Sequence, residues 1–276
     1  MNRVRAIQPA TIVKGILLTI ILAWVLLPLY FLFAVAFTPN GSTLDGFSIP
    51  DTLTSTNFMS VLSGANMIWP SLINSVVITV ASTVLALIFA VPAAYGLSHL
   101  QHKRMGRGLY MMSFVLRGVP PVALVMPYYV IFSKAELLNT MTGVIIALVP
   151  LALPYCIWTM RVFFDAVPVQ VEEAAGVDGA GVLRTFFSVV LPIARPGIAA
   201  TGILAALLIF VDYIVVATLA GPATMTFPVY VTTFQQDYLS LVGPMAAASI
   251  VGALPMLLMF GFSQRYMLRL ANAGVH

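Results

Sequence analysis

Long apolar stretches alternate with shorter polar segments along the chain. Each stretch exceeds the ~20 residues that an α-helix needs to cross ~30 Å of hydrocarbon. Several contain proline or glycine, which membrane helices tolerate because neighbouring helices satisfy the freed backbone groups. The pattern predicts six transmembrane helices, at residues 12–37, 72–97, 109–132, 142–164, 197–219 and 244–268.

The composition supports a membrane protein. Hydrophobic residues make up 61% of the chain and charged residues 8%, whereas a soluble domain carries about 25% charged residues. So few charges cannot form a water-facing surface. We therefore predict an all-α membrane protein with one transmembrane domain over residues 1–276 and no large soluble domain.

The basic residues predict the orientation of the helices. Cytoplasmic loops carry an excess of Lys and Arg, and the basic segments here are the N-terminus, 98–108, 165–196 and the C-terminal tail. They alternate with segments 38–69 and 220–243, which hold no Lys or Arg. This alternation predicts both termini in the cytoplasm. The net charge of +4 is thus explained by topology and does not indicate nucleic acid binding.

The first apolar stretch follows three basic residues, Arg3, Arg5 and Lys14. It is longer than the core of a signal peptide, and no clear small-residue cleavage site follows it. We expect it to remain as the first transmembrane helix.

The segment 165–196 has a pattern that predicts two short helices. Pro168 suits the first turn of a helix, where its missing N–H costs nothing. Glu172 and Glu173 follow near the N-terminus of that helix, where the helix dipole favours negative charge. Ala174 and the next alanine leave a slim surface that another protein could approach closely.

A turn and a second helix follow. Asp178-Gly179 is a turn signal, and a helix is predicted over 180–190, ended by Pro192. The result is a helix–turn–helix elbow between two membrane helices, on the side predicted to be cytoplasmic.

This elbow resembles the EAA loop of ABC importer permeases. The match consists of Glu173-Ala174-Ala175, Asp178-Gly179-Ala180, Leu191-Pro192 and Pro196. The alternative is an ordinary solvated loop in which the two glutamates only stabilise a helix N-terminus.

The resemblance covers nearly the whole chain and is greatest to the carbohydrate-uptake, MalG-like permeases. It is carried by Asn74-Ser75, Ala93–Leu97, Pro120–Leu124, Leu137–Thr140, Ala152–Tyr155, Phe163-Phe164 and Gln264–Tyr266. One departure lies in the fifth helix, where many sugar permeases have Trp-Asn-Asp/Glu-Phe. This chain has Phe210-Val211-Asp212-Tyr213 and so keeps only the acidic residue and an aromatic after it.

The resemblance implies a type I ABC importer permease fold that moves a sugar or sugar-like solute by ATP-driven alternating access. It implies a second, MalF-like permease subunit, two ATP-binding subunits or one homodimer, an extracytoplasmic solute-binding protein and a prokaryotic inner membrane. The chain has no Gly-x-x-x-x-Gly-Lys-Ser/Thr loop. We therefore expect no cofactor in this chain, and ATP and Mg²⁺ on the partner ATPase.

The resemblance also assigns an ATPase-coupling role within the elbow, with Glu173 as the expected partner of a basic residue on the ATPase. The residues expected to couple are Glu172, Glu173, Ala174, Ala175, Asp178, Gly179, Ala180, Leu191 and Pro192.

Two ionisable residues, Arg117 and Asp212, fall within predicted spans. A charge costs at least ~2.5 kcal/mol at the bilayer centre on insertion scales, so such residues usually face a bundle interior or a wet cavity. One hypothesis places both on the solute path, together with Asn74 and Tyr213. The alternative is structural, with Arg117 reaching the break at Pro120-Pro121 and Asp212 bonding a neighbouring hydroxyl.

Other functions fit the sequence less well. The alternative solutes are non-sugars such as a polyamine or glycerol phosphate. An intramembrane enzyme would need a cluster such as His-Glu-x-x-His or paired aspartates, and the sequence has neither. A membrane scaffold would not need the specific elbow. We expect no catalytic site and no metal site.

Overall fold

The computed structural model describes residues 9–39, 52–63, 68–100, 104–235 and 241–273, and the regular elements within them are helical. One of these is a π-helical turn, π1, at Phe186–Val190. The α-helices in chain order are α1 Pro9–Ala36, α2 Thr56–Ser63, α3 Trp69–His99, α4 Arg104–Arg117, α5 Pro121–Lys134, α6 Met141–Asp165, α7 Val169–Val177, α8 Val182–Thr185, α9 Leu191–Phe210, α10 Ile214–Leu219, α11 Phe227–Thr232 and α12 Val242–Ala273.

Within the described ranges, five helical segments are long and apolar enough to cross a membrane. They are Val13–Ala36, Trp69–His99, Met141–Asp165, Val182–Phe210 and Val242–Gly261. They confirm the all-α membrane protein and match five of the six predicted spans, with shifts at the ends.

The third predicted span, 109–132, is wrong as one continuous helix. α4 ends at Arg117, and α5 begins at Pro121 after an extended Pro120 with φ −67° and ψ 136°. A proline disfavours the helical conformation of the residue before it, so two consecutive prolines break the helix. The 14 residues of α5 rise only about 21 Å, which is short of a full crossing.

The predicted end of the elbow helix at Pro192 is also wrong. α8, π1 and α9 form one helical run over Val182–Phe210. In π1 the Leu191 N–H donates to the carbonyl of Phe186, five residues back. Pro192 has no N–H, and its ring would crowd the carbonyl four residues earlier in an α-helix. The wider π turn accommodates the proline without ending the helix.

The fifth predicted span, 197–219, is interrupted near its C-terminal end. α9 ends at Phe210, residues 211–213 are not helical, and α10 begins at Ile214. Hydropathy alone does not detect this break, because only Asp212 is polar within it.

The chain divides into two compact units, which we describe separately. The larger unit comprises Trp69–Tyr230 and Gly252–His276. Its core lies where α3, α6 and α9 pack together. Small and hydroxyl-bearing side chains line one buried face of α3, namely Ser75, Thr79, Ser82, Ala86, Ala90 and Ala94. Such residues allow membrane helices to approach closely.

The α6–α9 packing depends on Gly197. A Cβ atom on Gly197 would lie 2.5 Å from Cγ of Phe163, which is closer than van der Waals contact allows. The backbone of α9 therefore passes directly against the Phe163 ring, and this contact sets the spacing of the two helices.

The smaller unit comprises Met1–Ile68 and Val231–Val251. Asn57 on α2 is fully buried there, and its Nδ2 donates to the carbonyls of Ala36 at 2.9 Å and Thr38 at 2.8 Å. Asn57 thereby satisfies backbone acceptors at the C-terminal end of α1. Most apolar side chains of α1 are exposed, with Trp24 at 82%, which fits a helix that meets lipid or another membrane protein.

Candidate functional site

The first arm of the elbow is α7. Pro168 precedes it with φ −63° and ψ 130°, and the helix begins at Val169, one residue later than a first-turn Pro168 would give. Glu172 lies in the first turn, as the sequence indicated, where the unpaired N–H groups of the helix favour a carboxylate. Glu173 follows on a different side of the helix and is exposed.

The turn after α7 is a Schellman motif. The Gly179 N–H donates to the Gly176 carbonyl at 3.0 Å, and the Ala180 N–H donates to the Ala175 carbonyl at 2.9 Å. Gly179 has φ +79°, in the left-handed region that glycine adopts without steric cost. The turn predicted at Asp178-Gly179 is confirmed, and it fixes the direction of the second arm, α8.

Glu172 ties α7 to the end of α3. Its Oε2 accepts a hydrogen bond from the Tyr95 hydroxyl at 3.1 Å and lies 2.7 Å from Nε2 of His99. The side chain of Glu172 is only 21% exposed. Glu172 is therefore engaged within the chain.

The Tyr95 ring joins the elbow to three membrane helices. Its centroid lies 5.6 Å from that of Phe164 at the end of α6 and 4.8 Å from that of Phe186 in π1. Tyr95 itself comes from α3 and is buried. Because π1 continues into α9, Tyr95 connects the elbow with α3, α6 and α9. Neither Tyr95 nor His99 was expected from the sequence to bind the elbow, although both lie at the predicted inner end of the second span.

The outer surface of the elbow is exposed and largely apolar. We call it the elbow face. It consists of Val169, Glu173, Ala174, Val177, Val182 and Leu183, with Val177 89% exposed and Val182 and Leu183 each 74% exposed. Ala175 turns inward and is buried, whereas Leu191 and Pro192 are half-buried at the start of α9. Exposed apolar side chains beside polar ones are a common feature of protein-interaction surfaces.

Asn74 fastens the segment that follows α10. It is 9% exposed, and its Nδ2 donates to the carbonyls of Ala223 and Met225, each at 3.0 Å. The hydroxyl of Ser75 accepts from the Phe227 N–H at 2.7 Å. The Asn74-Ser75 pair thus holds the backbone of 223–227 against α3.

Asp212 stabilises the broken end of the fifth span. Its Oδ1 accepts from the Val215 N–H at 3.0 Å, at the start of α10, so it bonds a backbone group and not the hydroxyl considered from the sequence. Asp212 also lines a cavity of about 40 Å³, which suffices for water and is far below the ~300 Å³ of a small-molecule site.

The other two residues considered for the solute path are Tyr213 and Arg117. Tyr213 is 43% exposed. Arg117 ends α4, and its side chain lies outside the described residues.

Replacing Asn74 with leucine is expected to destabilise the protein, because two carbonyls lose their donor without a change in side-chain size. We expect a loss of about 2 kcal/mol, seen as a lower melting temperature of the detergent-solubilised protein. The control is Ile73→Leu, one residue earlier, where the side chain is 60% exposed. Equal melting temperatures for the two variants would contradict the clamp.

Among the described residues, no group of three or more His, Cys, Asp or Glu is placed to hold a metal ion.

Comparison with known proteins identifies the family. Residues 83–271 match the family described as binding-protein-dependent transport system inner membrane component. The trehalose transport system permease protein SugB of Mycobacterium tuberculosis is 30% identical over 256 residues, 91% of this chain and 92% of that protein. The diacetylchitobiose uptake system permease protein DasC of Streptomyces coelicolor is 30% identical, with 90% of each chain covered.

The fold agrees with a solved importer. A chain of a bacterial ABC transporter involved in the import of the acidic polysaccharide alginate superposes with a TM-score of 0.70, over 96% of this chain and 99% of that chain, at 23% identity. The fold of an ABC importer permease is thereby confirmed. The chain belongs to the family of inner membrane components of binding-protein-dependent transport systems, and as an ABC transporter permease it is a membrane transport subunit and not an enzyme.

Proposed function

We propose that this chain is one permease subunit of an importer for a sugar or sugar-like solute, and that its elbow face binds a separate ATPase subunit. The observation that carries the proposal is the elbow itself. One acidic residue, Glu172, is committed to α3, while Glu173 stands exposed beside apolar side chains. An exposed carboxylate on an apolar face suits a partner that offers a basic residue within an apolar cleft.

Saccharide transport is the solute class that the relatives favour. Two relatives with 30% identity over about nine-tenths of the chain are named for trehalose and diacetylchitobiose. The alginate transporter agrees in fold. A sugar or sugar-like solute is therefore proposed ahead of a polyamine or glycerol phosphate.

The proposal includes the other subunits. A family of binding-protein-dependent transport systems implies a solute-binding protein, which would stand outside the membrane. A second, MalF-like permease subunit would complete the pathway, and two ATP-binding subunits or one homodimer would bind ATP and Mg²⁺. The elbow and both termini would then lie in the cytoplasm of a prokaryotic cell, as the distribution of basic residues favours.

The packing suggests how the elbow acts. α7 is bonded to α3 through Glu172, and Tyr95 packs against the end of α6 and against π1. A rigid-body movement of the ATPase would therefore carry three membrane helices with it. Such movements convert a change at one interface into a change of access at another.

The test is to purify the transporter through a tag on this chain and to measure the retained ATPase subunit. Glu173→Lys is expected to lower ATPase retention by about tenfold or more, since like charges would face each other across the interface. Glu136→Lys is the matched control, because Glu136 is an exposed glutamate on a different loop. Saccharide-loaded binding protein should stimulate ATP hydrolysis by the intact complex.

Two results would overturn the proposal. Unchanged ATPase retention in Glu173→Lys would exclude the elbow face as the docking surface. Stimulation by non-sugar solutes alone, across a panel that includes di- and oligosaccharides, would exclude the proposed solute class.

A further inference from the structure

The contact between α3 and α7 places two protonatable groups side by side. Nε2 of His99 lies 2.7 Å from Oε2 of Glu172. Nδ1 of the same ring lies 2.9 Å from the carbonyl of Tyr95 and 3.2 Å from the Ser98 hydroxyl. The Ser98 hydroxyl donates to the same Tyr95 carbonyl at 2.7 Å.

The number of protons in this arrangement follows from the acceptors around the ring. The Tyr95 carbonyl can only accept, so Nδ1 must carry a hydrogen to bond it. The Glu172 carboxylate can only accept when ionised, so Nε2 must carry a hydrogen as well. A neutral imidazole has one N–H and satisfies one of these contacts. With Glu172 ionised, both contacts together require the imidazolium form of His99.

We propose that Tyr95 and protonated His99 latch the coupling helix α7 to the inner end of α3 through Glu172, so that the proton on His99 controls how firmly the elbow follows α3. This inference rests on the proposed coupling function of the elbow. Glu172 and His99 are positioning residues in it, since they act on α7 through their contact with each other.

Among the described side chains, the titratable groups that contact His99 are Glu172 from α7 and Tyr95 from its own helix. The side chains of His102, Lys103 and Arg104 lie outside the described residues. The Tyr95 ring lies edge-on to the imidazole at 4.5 Å and is held in turn by Phe164 and Phe186. The aromatic contacts hold the Tyr95 hydroxyl on Glu172 throughout the pH range in which histidine titrates, so protonation of His99 is the part of the latch that changes with pH.

The direction of the pH effect follows from the proton count. At low pH the imidazolium holds Glu172, and α7 stays against α3. As pH rises through the range in which histidine titrates, ordinarily near pH 6.5, the ring loses one N–H and one contact becomes acceptor against acceptor. The His99 side chain is 49% exposed, and exposed ion pairs contribute modestly. We therefore expect the latched fraction to fall about threefold relative to the unlatched fraction.

The experiment measures the distance between α7 and α3 directly. Spin labels are placed at Gln170→Cys on α7 and Phe89→Cys on α3, both exposed and outside the elbow face, whereas the single native cysteine, Cys156, is buried. Distance distributions are recorded by double electron–electron resonance at pH 6.0 and 8.5, on the full chain purified with its transporter subunits in lipid nanodiscs.

Two variants distinguish the effect of protonating His99 from the effect of its hydrogen bond to Glu172. In His99→Gln the amide donates to Glu172 without titrating, so one narrow distribution is expected at both pH values. In Glu172→Ala the acceptor is gone, so a broad distribution is expected at both. The labelled parent should change from narrow to broad as pH rises. A parent distribution that does not change with pH, or a His99→Gln distribution that changes as the parent does, overturns the latch.

ATPase retention on the same preparations separates this inference from the proposed function. If retention is insensitive to Glu173→Lys while the distances follow the expected pattern, the latch stands and the docking assignment fails. If retention depends on Glu173 while the distances are insensitive to pH, docking stands and the latch fails.

Discussion

Replacing Gly197 with alanine is expected to lower the melting temperature of the purified transporter by about 5 °C. The added Cβ would lie 2.5 Å from Cγ and 2.8 Å from both Cδ atoms of the Phe163 ring. Cγ lies near the backbone of α6, so the ring cannot turn away, and α9 must move away from α6 instead. Overpacking of this kind costs about 1–3 kcal/mol. The measurement is thermal unfolding of the detergent-solubilised complex, followed by size-exclusion chromatography.

The matched control is Gly96→Ala. Gly96 lies inside α3, and a Cβ there would meet nothing within 4 Å, so alanine should be neutral or slightly stabilising through its higher helix propensity. A second test removes the obstacle. Phe163→Ala should make the Gly197→Ala change less harmful than it is alone, because the two residues share one contact. Additive losses in the double variant would contradict the packing argument.

Hydropathy predicted α1, α3, α6 and α12 because each contains a continuous apolar run that is long enough to cross a membrane. It did not predict the breaks at 118–120 and 211–213. An average over a span hardly registers one polar residue such as Asp212, and it takes no account of backbone geometry at Pro120. Pro192 was predicted to end the elbow helix, but the π turn before it, in which the Leu191 N–H donates to the Phe186 carbonyl, lets the helix continue.

The sequence predicted the shape of the elbow but not its attachment to α3. Local signals, the Asp178-Gly179 turn and the acidic first turn of α7, indicated its shape. The contact of Glu172 with Tyr95 and His99 joins residues that are 77 and 73 positions apart. Only the packing of α3 against α6 and π1 brings them together. It is therefore the tertiary structure that bonds Glu172 to α3 and leaves Glu173 exposed.

The Schellman turn at Gly179 is expected to be the most sensitive point of the elbow. Gly179→Val should reduce the ATPase subunit that co-purifies with the chain by about tenfold. A residue other than glycine costs roughly 1–2 kcal/mol in the left-handed conformation that φ +79° represents, and 1.4 kcal/mol corresponds to tenfold in an equilibrium. A β-branched side chain is the least tolerant of that conformation.

Gly181→Val separates the backbone effect from a direct effect of the added side chain. A Cβ on either glycine would meet nothing within 4 Å, but Gly181 has φ −71°, which valine adopts freely. We therefore expect ATPase retention close to the parent for Gly181→Val and an intermediate loss for Gly179→Asn, since asparagine tolerates the left-handed region. Equal loss for the two valine variants would mean that bulk on the elbow blocks the partner. A loss confined to Gly179 would mean that the ATPase requires α7 and α8 at the angle that this one turn sets.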